Sequence, residues 1–185
     1  PFAAAIGAGM PVGEATGSMI VDIGGGTTDI AVTALAGIVE SRTLDIAGDR
    51  FDDTIIKHLR DQHGIEIGHL MAERIKIEIG SATDLEEELS LVVRGRNIST
   101  KLPAETTINS IEIRAALRPC FERIVAGILE VLEQTPPELS GDLVSQGITL
   151  AGGGALLRGI DLALQKAVGL PVQICDDPIT AVVRG

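Results

Sequence analysis

Asp22-Ile23-Gly24-Gly25-Gly26-Thr27-Thr28-Asp29 stands between the apolar runs Met19-Ile20-Val21 and Ile30-Ala31-Val32, so three glycines and two hydroxyls form the turn between two strand-like segments. It reads as a phosphate clamp. Consecutive glycines carry no Cβ, and their backbone N–H groups can approach an anion that a larger residue would hold off. Thr27 and Thr28 add hydroxyl donors, while Asp22, at the end of the first segment, is placed to hold Mg²⁺ through water. A bare Gly-Gly-Gly stretch reads equally well as an ordinary hairpin. The acidic brackets Asp22 and Asp29 favour a metal–phosphate site, being costly neighbours for a plain turn. The spacing matches neither Gly-x-x-x-x-Gly-Lys nor Gly-x-Gly-x-x-Gly.

Working outward, Met19–Ile23, Asp29–Leu35 and Ile38–Ile46 carry β-branched residues and predict a three-stranded meander around this turn. From Asp49 to Gly64, Phe51, Ile55, Ile56 and Leu59 follow the helical period and Gly64 supplies a stop. A second helix is predicted from about Gly68 to Gly80, with Leu70, Met71, Ile75 and Ile79 on one stripe. Leu85 to Asn109 reads as a β-pair that turns at Arg94-Gly95-Arg96-Asn97. Ile113 through Leu132 marks a long amphipathic helix, which Pro119 should kink or divide and Thr135-Pro136-Pro137 should end. Gly147–Ala151 is a short strand running into a second glycine turn, Gly152-Gly153-Gly154, that opens a helix. Such a join lies at the carboxyl end of a sheet strand, where open α/β sheets bind ligands. Ile160–Val168 is helical, Val172–Ile174 extended, and Asp177-Pro178 caps a final helix.

A chain of 185 residues with 45% hydrophobic content can bury a real core, built here from Ile, Leu, Val and Ala because Trp and Tyr are absent and Phe occurs three times. A net charge of −11 argues against a nucleic-acid partner, which would need clustered Lys and Arg. A single nucleotide remains compatible, since amides and Mg²⁺ supply the positive field locally. Cys120 and Cys175 lack Cys-x-x-Cys spacing and read as buried thiols in a reducing, cytoplasmic setting. No run reaches the ~18 apolar residues of a membrane span. Because the sequence opens on Pro1 and stops at Gly185 after an apolar run, it is expected to be cut from something longer.

With both glycine turns in place, the chain resembles the actin-like ATPase superfamily. The wording of Pro1–Gly9, Asp22–Asp29, Ala72-Glu73-Arg74-Ile75-Lys76, Gly152–Gly159 and Asp177–Gly185 looks like its MreB/Mbl branch of bacterial actin homologues, over the second half of such a protein. The resemblance implies an α/β fold, a ribonuclease H-like ATPase lobe comprising 1–47 and 111–185, with a small α+β subdomain inserted at 48–110. It implies ATP and Mg²⁺ as ligands. Gly24, Gly25, Gly26 and Thr27 match the second phosphate-binding turn, with Thr27 also the local candidate for placing the attacking water. Asp22 matches the residue that orients Mg²⁺ through water. Glu73, Arg74 and Lys76 lie in the helix on the ribose side, Glu73 and Lys76 being the expected sugar contacts; without the family pattern they read as a solvated face. Gly153, Gly154, Ala155 and Leu156 match the turn under the adenine. Asp49 and Asp52 either face the nucleotide or cap a helix.

The catalytic Glu of such proteins stands just before the segment that begins at Pro1. The chain alone is therefore expected to bind ATP–Mg²⁺ weakly with negligible turnover. The resemblance further implies self-association into filaments that set rod shape by organising cell-wall synthesis. It implies partners among cell-wall and membrane morphogenesis proteins, and membrane contact through parts outside this chain. The competing readings are a lobe of a chaperone or small-molecule kinase of the same superfamily, and a nucleotide-free assembly protein with a vestigial loop.

Overall fold

The computed structural model describes all 185 residues, and no helix is long and apolar enough to cross a membrane. The chain begins with α1 (Phe2–Gly7), β1 (Ser18–Ile23), β2 (Thr28–Ala34) and β3 (Gly37–Leu44). Next come α2 (Gly48–His58), a π-helical turn (Leu59–His63), β4 (Ile65–Glu66), α3 (His69–Ile79), β5 (Ser90–Asn97) and β6 (Pro103–Asn109). Then follow α4 (Ser110–Gln134), α5 (Pro137–Gln146), β7 (Ile148–Ala151), a 3-10 turn (Gly153–Leu156), α6 (Ile160–Val168), β8 (Val172–Ile174) and α7 (Ala181–Arg184). These elements form two compact units. The first comprises Pro1–Gly48, Glu122–Leu156 and Ile160–Gly185, and the second Asp49–Phe121 with Leu157–Gly159.

The first unit is built on a five-stranded sheet of order β3-β2-β1-β7-β8. β1, β2 and β3 form the antiparallel meander expected from their β-branched runs, whereas β7 and β8 join β1 in parallel. Every residue of β1 and β7 is buried, as central strands covered on both faces must be. One face is small: Ile20, Ala31 and Ala151 pack with Ala4, Ala5 and Ala181. Small residues let α1 and α7 come close, and a Cβ on Gly7 would lie 1.7 Å from the Ala181 carbonyl oxygen. The other face takes the C-terminal half of α4, where a Cβ on Gly127 would meet Leu44 Cδ1 at 2.7 Å. The β2–β3 turn does not use Gly37. Leu35 and Ala36 adopt φ of 50° and 60°, held there because their N–H groups donate to Glu14 and Val12 carbonyls at 2.7 and 2.6 Å.

The second unit holds a three-stranded sheet, β4-β5-β6, with helices α2 and α3 and the start of α4. The helix predicted over Asp49–Gly64 is present, but its last turn widens to the π form before Gly64 stops it at φ 63°. The β5–β6 turn is corrected from Arg94–Asn97 to the residues after Asn97. Gly95 lies inside β5, where a Cβ would sit 2.5 Å from the Glu66 oxygen of β4, so this glycine admits a strand neighbour rather than a bend. The turn is organised by Asn97, whose side-chain oxygen accepts from Ser99 and Thr100 N–H at 2.9 Å each. Nor does Pro119 divide α4, which runs unbroken for 25 residues. Leu117, Cys120, Ile124 and Ile128 are all buried along it, and that packing outweighs the one backbone bond the proline deletes. Of the two thiols, Cys120 is buried and Cys175 only half-buried, a third correction.

Asn109 and Glu112 cap α4 reciprocally, each side chain accepting the other's N–H at 3.0 and 2.9 Å. One turn on, Arg114 donates to Ser81 Oγ at 2.8 Å, the Thr83 carbonyl at 3.0 Å and Glu88 at 2.6 Å. Hydrogen bonds from Arg114 and then Ser110 hold the Glu88 carboxyl down at about 2 against an ordinary 4.5. A depressed carboxylate stabilises the fold fully above its unfolded value and loses that contribution as pH falls towards the folded one. Melting temperature followed from pH 4.5 down to about 2 is therefore expected to fall less steeply in Glu88→Gln than in the parent chain.

Candidate functional site

β1 and β7 run parallel with Asp22 opposite Ala151, so the glycine turns that follow each strand emerge side by side at the carboxyl edge of one sheet. The first is a tight hairpin in which Gly24 N–H donates to the Thr27 carbonyl at 2.9 Å. Gly25, Gly26 and Thr27 are exposed at its tip. The Gly24 carbonyl accepts from Gly48 N–H at 3.1 Å, which ties the turn to the chain leaving the meander. Thr28 does not offer its hydroxyl outward: fully buried, it donates to the Ile46 carbonyl at 2.5 Å. Thr27 keeps its hydroxyl at the surface, 3.4 Å from Asp29 Oδ2.

Asp22 and Asp29 face each other across β1 and β2. Like charges at paired positions repel, and Asp22 is also 91% shielded from solvent, with 9% exposure. Burial first, and the charge of Asp29 after it, push the Asp22 carboxyl above the ordinary range. Asp29 is better served, accepting from the Thr43 hydroxyl of β3. Sequence reasoning passed over Thr43. Its signal was register alone, since Thr43 pairs with Asp29 once the meander is aligned. A buried carboxylate against a second one fits a cation delivered from outside the chain, and oxygen donors of this kind suit Mg²⁺.

The four glycine-turn residues Gly153, Gly154, Ala155 and Leu156 form a 3-10 turn rather than the start of α6. Their roles differ. A Cβ on Gly154 would press to 2.2 Å from Ile23 Cγ2, and one on Gly152 would lie 2.3 Å from the Ile23 carbonyl oxygen and 2.5 Å from Asp22 Oδ1. Gly152 also sits at φ 81° and donates its N–H to the Pro178 carbonyl at 2.8 Å. These two glycines bring the second turn down onto the end of β1. Gly153 is exposed, and a Cβ there meets nothing within 4 Å, the same condition as at Gly26. Ala155 is buried and Leu156 exposed.

Within the second unit, α3 carries Glu73 and Arg74 at the surface and Lys76 partly buried. Arg74 is occupied by Glu78 at 2.6 Å, one turn along. Lys76 is not on a solvated face; its ammonium lies 2.9 Å from Asp52 Oδ1. Asp52 is buried on α2, and desolvation raises its carboxyl despite the hydrogen bond from Lys76. Asp49 lies in the first turn of α2. The sequence reading gave Arg158 no separate role. Its guanidinium donates to the carbonyls of Ile77 at 2.9 Å and Gly80 at 3.3 Å, satisfying the end of α3. A Cβ on the neighbouring Gly159, at φ 69°, would collide with Thr83 Oγ1 at 2.1 Å.

The family described as MreB/Mbl protein matches residues 1–185. The chain is 52% identical over 185 residues to the cell shape-determining protein MreB of Escherichia coli, covering 100% of this chain and 53% of that protein. It is 42% identical to the cell shape-determining protein Mbl of Bacillus subtilis, covering 100% of this chain and 56% of the relative. The chain thus spans about half the length of the curated relatives it matches. Among solved structures, MreB 5 of Spiroplasma citri bound to AMPPNP matches with a TM-score of 0.96 at 43% identity, over 99% of this chain and 55% of that one. The MamK double helical filament matches with a TM-score of 0.82 at 25% identity, over 100% of this chain and 56% of that one.

Proposed function

Since the chain belongs to the MreB/Mbl family and has the actin-like α/β fold of those neighbours, we propose that it is the nucleotide-binding half of a filament-forming ATPase that determines rod cell shape by organising cell-wall synthesis. The observation that carries the nucleotide reading is the pairing of two glycine turns on one sheet edge, each with an exposed glycine that the fold itself does not require. Gly24, Gly25, Gly26 and Thr27 are assigned to the β- and γ-phosphates of ATP, Gly24 closing the turn through its own N–H while backbone N–H groups at the tip and the exposed Thr27 hydroxyl supply donors. Asp22 is assigned to Mg²⁺, through water; the ion, when bound, neutralises phosphate charge. Gly153 and Leu156 are assigned to the purine side, with Gly154 and Ala155 holding the turn in place. Glu73 and Lys76 are assigned to the sugar by resemblance, with Arg74 beside them on the ribose-side helix, where it pairs with Glu78. Lys76 would bring its charge from the Asp52 pair, which fixes the ammonium rather than leaving it to solvent.

Solved relatives described as bound to AMPPNP and ADP support the nucleotide reading, and the MamK filament supports self-association. The protein is assigned to the cytoplasm, as membrane-associated filaments whose membrane contact lies outside this chain, with cell-wall and membrane morphogenesis proteins as partners. Residues 1–47 and 111–185 are assigned to the lobe core and 48–110 to the inserted subdomain, although residues 111–121 and 157–159 pack within the second unit.

Calorimetric titration of ATP with and without Mg²⁺, in the parent chain and in Asp22→Asn, tests the site. The parent is expected to bind weakly, more tightly with Mg²⁺ than without, and to turn over negligibly. The variant is expected to lose the Mg²⁺-dependent gain. A raised folded-state carboxyl costs stability once ionised, above that raised value, and the cost fades as pH falls through it. The ligand-free variant should therefore melt no lower than the parent at neutral pH. An unchanged Mg²⁺ dependence in Asp22→Asn would remove Asp22 from the site.

A further inference from the structure

His58, His63 and Glu112 lie apart from both glycine turns, and all three belong to the second unit. Their ligand atoms fall within 4.8 Å of one another. His58 Nε2 is 3.0 Å and His63 Nε2 2.6 Å from the same oxygen, Glu112 Oε2. The three side chains are about four-fifths buried, at 18%, 20% and 22% exposure.

The backbone makes this convergence. In a regular α-helix, residues five apart point about 140° from each other. Leu59–His63 instead forms a π-helical turn, whose i to i+5 closure swings His63 back onto the side of His58. The two rings meet edge-on with centroids 5.9 Å apart. Glu112 is presented from the capped start of α4, where its other oxygen, Oε1, accepts the Asn109 N–H at 2.9 Å. His63 is oriented from behind. Its Nδ1 lies 3.1 Å from Thr106 Oγ1, and a proton donated there leaves Nε2 as the ligand atom.

We propose that His58, His63 and Glu112 form a binding site for a divalent transition-metal ion, Zn²⁺ by preference, that clips the end of α2 to the start of α4. Two imidazoles and one carboxylate are a three-ligand zinc set with a fourth position for water. Ligand atoms of a tetrahedral zinc stand about 3.3 Å apart, so the two histidine–carboxylate separations of 3.0 and 2.6 Å need to open by well under 1 Å. Hard cations that prefer six or more oxygens, Mg²⁺ and Ca²⁺, find a poor match in two nitrogens. The site is independent of the nucleotide reading.

Zn²⁺ titrated calorimetrically into the 185-residue chain tests it, with Co²⁺ absorbance as a reporter of tetrahedral coordination. One ion per chain is expected, with a Kd of about 1 μM or tighter and a melting temperature raised by about 5 °C at saturation. His58→Gln or His63→Gln should each weaken binding at least about tenfold, and the double variant should abolish it. His69→Gln, at the third and exposed histidine, should change nothing. Metal-free melting curves report whether the variants fold. Should the double variant not fold, Glu112→Gln removes the anionic ligand while a glutamine still serves the cap. Absence of zinc binding, binding retained in the double variant or in folded Glu112→Gln, or loss of binding in His69→Gln would each overturn the proposal.

Discussion

Gly26→Val is expected to abolish measurable ATP–Mg²⁺ binding by this chain, a loss of at least about 100-fold, while leaving its melting temperature within about 2 °C of the parent. A Cβ at Gly26 meets no atom of the chain within 4 Å, and its φ lies outside the left-handed region, so an L-residue fits without strain. Valine would if anything reduce the freedom of the unfolded chain, a small stabilising effect. On the proposed assignment, the branched side chain occupies the space through which a phosphate would reach the N–H groups of the turn. Holding an anion off those donors by a methyl's width would forfeit the charge-assisted bonds that the proposed clamp supplies. Fluorescence titration with a labelled ATP analogue and a thermal melt on the same sample decide it. Unchanged affinity would point to a vestigial turn, and the nucleotide-free assembly reading would then take precedence.

Gly152→Val, one strand away, is expected to do the opposite and destabilise the first unit by roughly 3 kcal/mol or more. Three observations converge there: φ of 81°, the Ile23 carbonyl oxygen 2.3 Å from the added Cβ, and Asp22 Oδ1 at 2.5 Å. The first obstacle is backbone of the central strand, which cannot step aside without breaking the pairing of β1 with β7. Denaturant unfolding should show a large drop in midpoint with the slope unchanged. A variant as stable as the parent would mean that the second turn is not seated on β1 as described. The two substitutions are chemically identical, and the close contacts at Gly152 against the open space at Gly26 set their outcomes apart.

Much of this was legible in the residues. The Met19–Val21 and Ile30–Val32 runs around Gly24–Gly26 announced the meander, and Ile148–Ala151 announced a buried strand, because each is a local pattern of β-branched residues bounded by turn formers. Gly64 ended its helix as its position suggested. The misplaced β5–β6 turn and the intact helix at Pro119 share a cause. Gly95 and Pro119 are local breakers by residue type, but Gly95 answers to the approach of β4 and Pro119 to the burial of the residues around it. The wide π turn at Leu59–His63 left no trace in the apolar period, since Leu59 is buried just as an α-helical reading requires.

The candidate site divides in the same way. Sequence by itself determined the two glycine turns and most of the strands and helices, because these follow from residue type and spacing along the chain, and it pointed to the family through the resemblance of its motifs; α1, β4 and α5 carried no such signal. Only the tertiary structure decided which glycines are free to meet a ligand and which are pinned by Ile23. It also turned the Thr28 hydroxyl inward to Ile46, paired Lys76 with Asp52 and gathered His58 and His63 on Glu112. Each of those outcomes depends on atoms that are neighbours in space and distant along the chain, and it is their contact, not their identity, that fixes what a side chain is free to do.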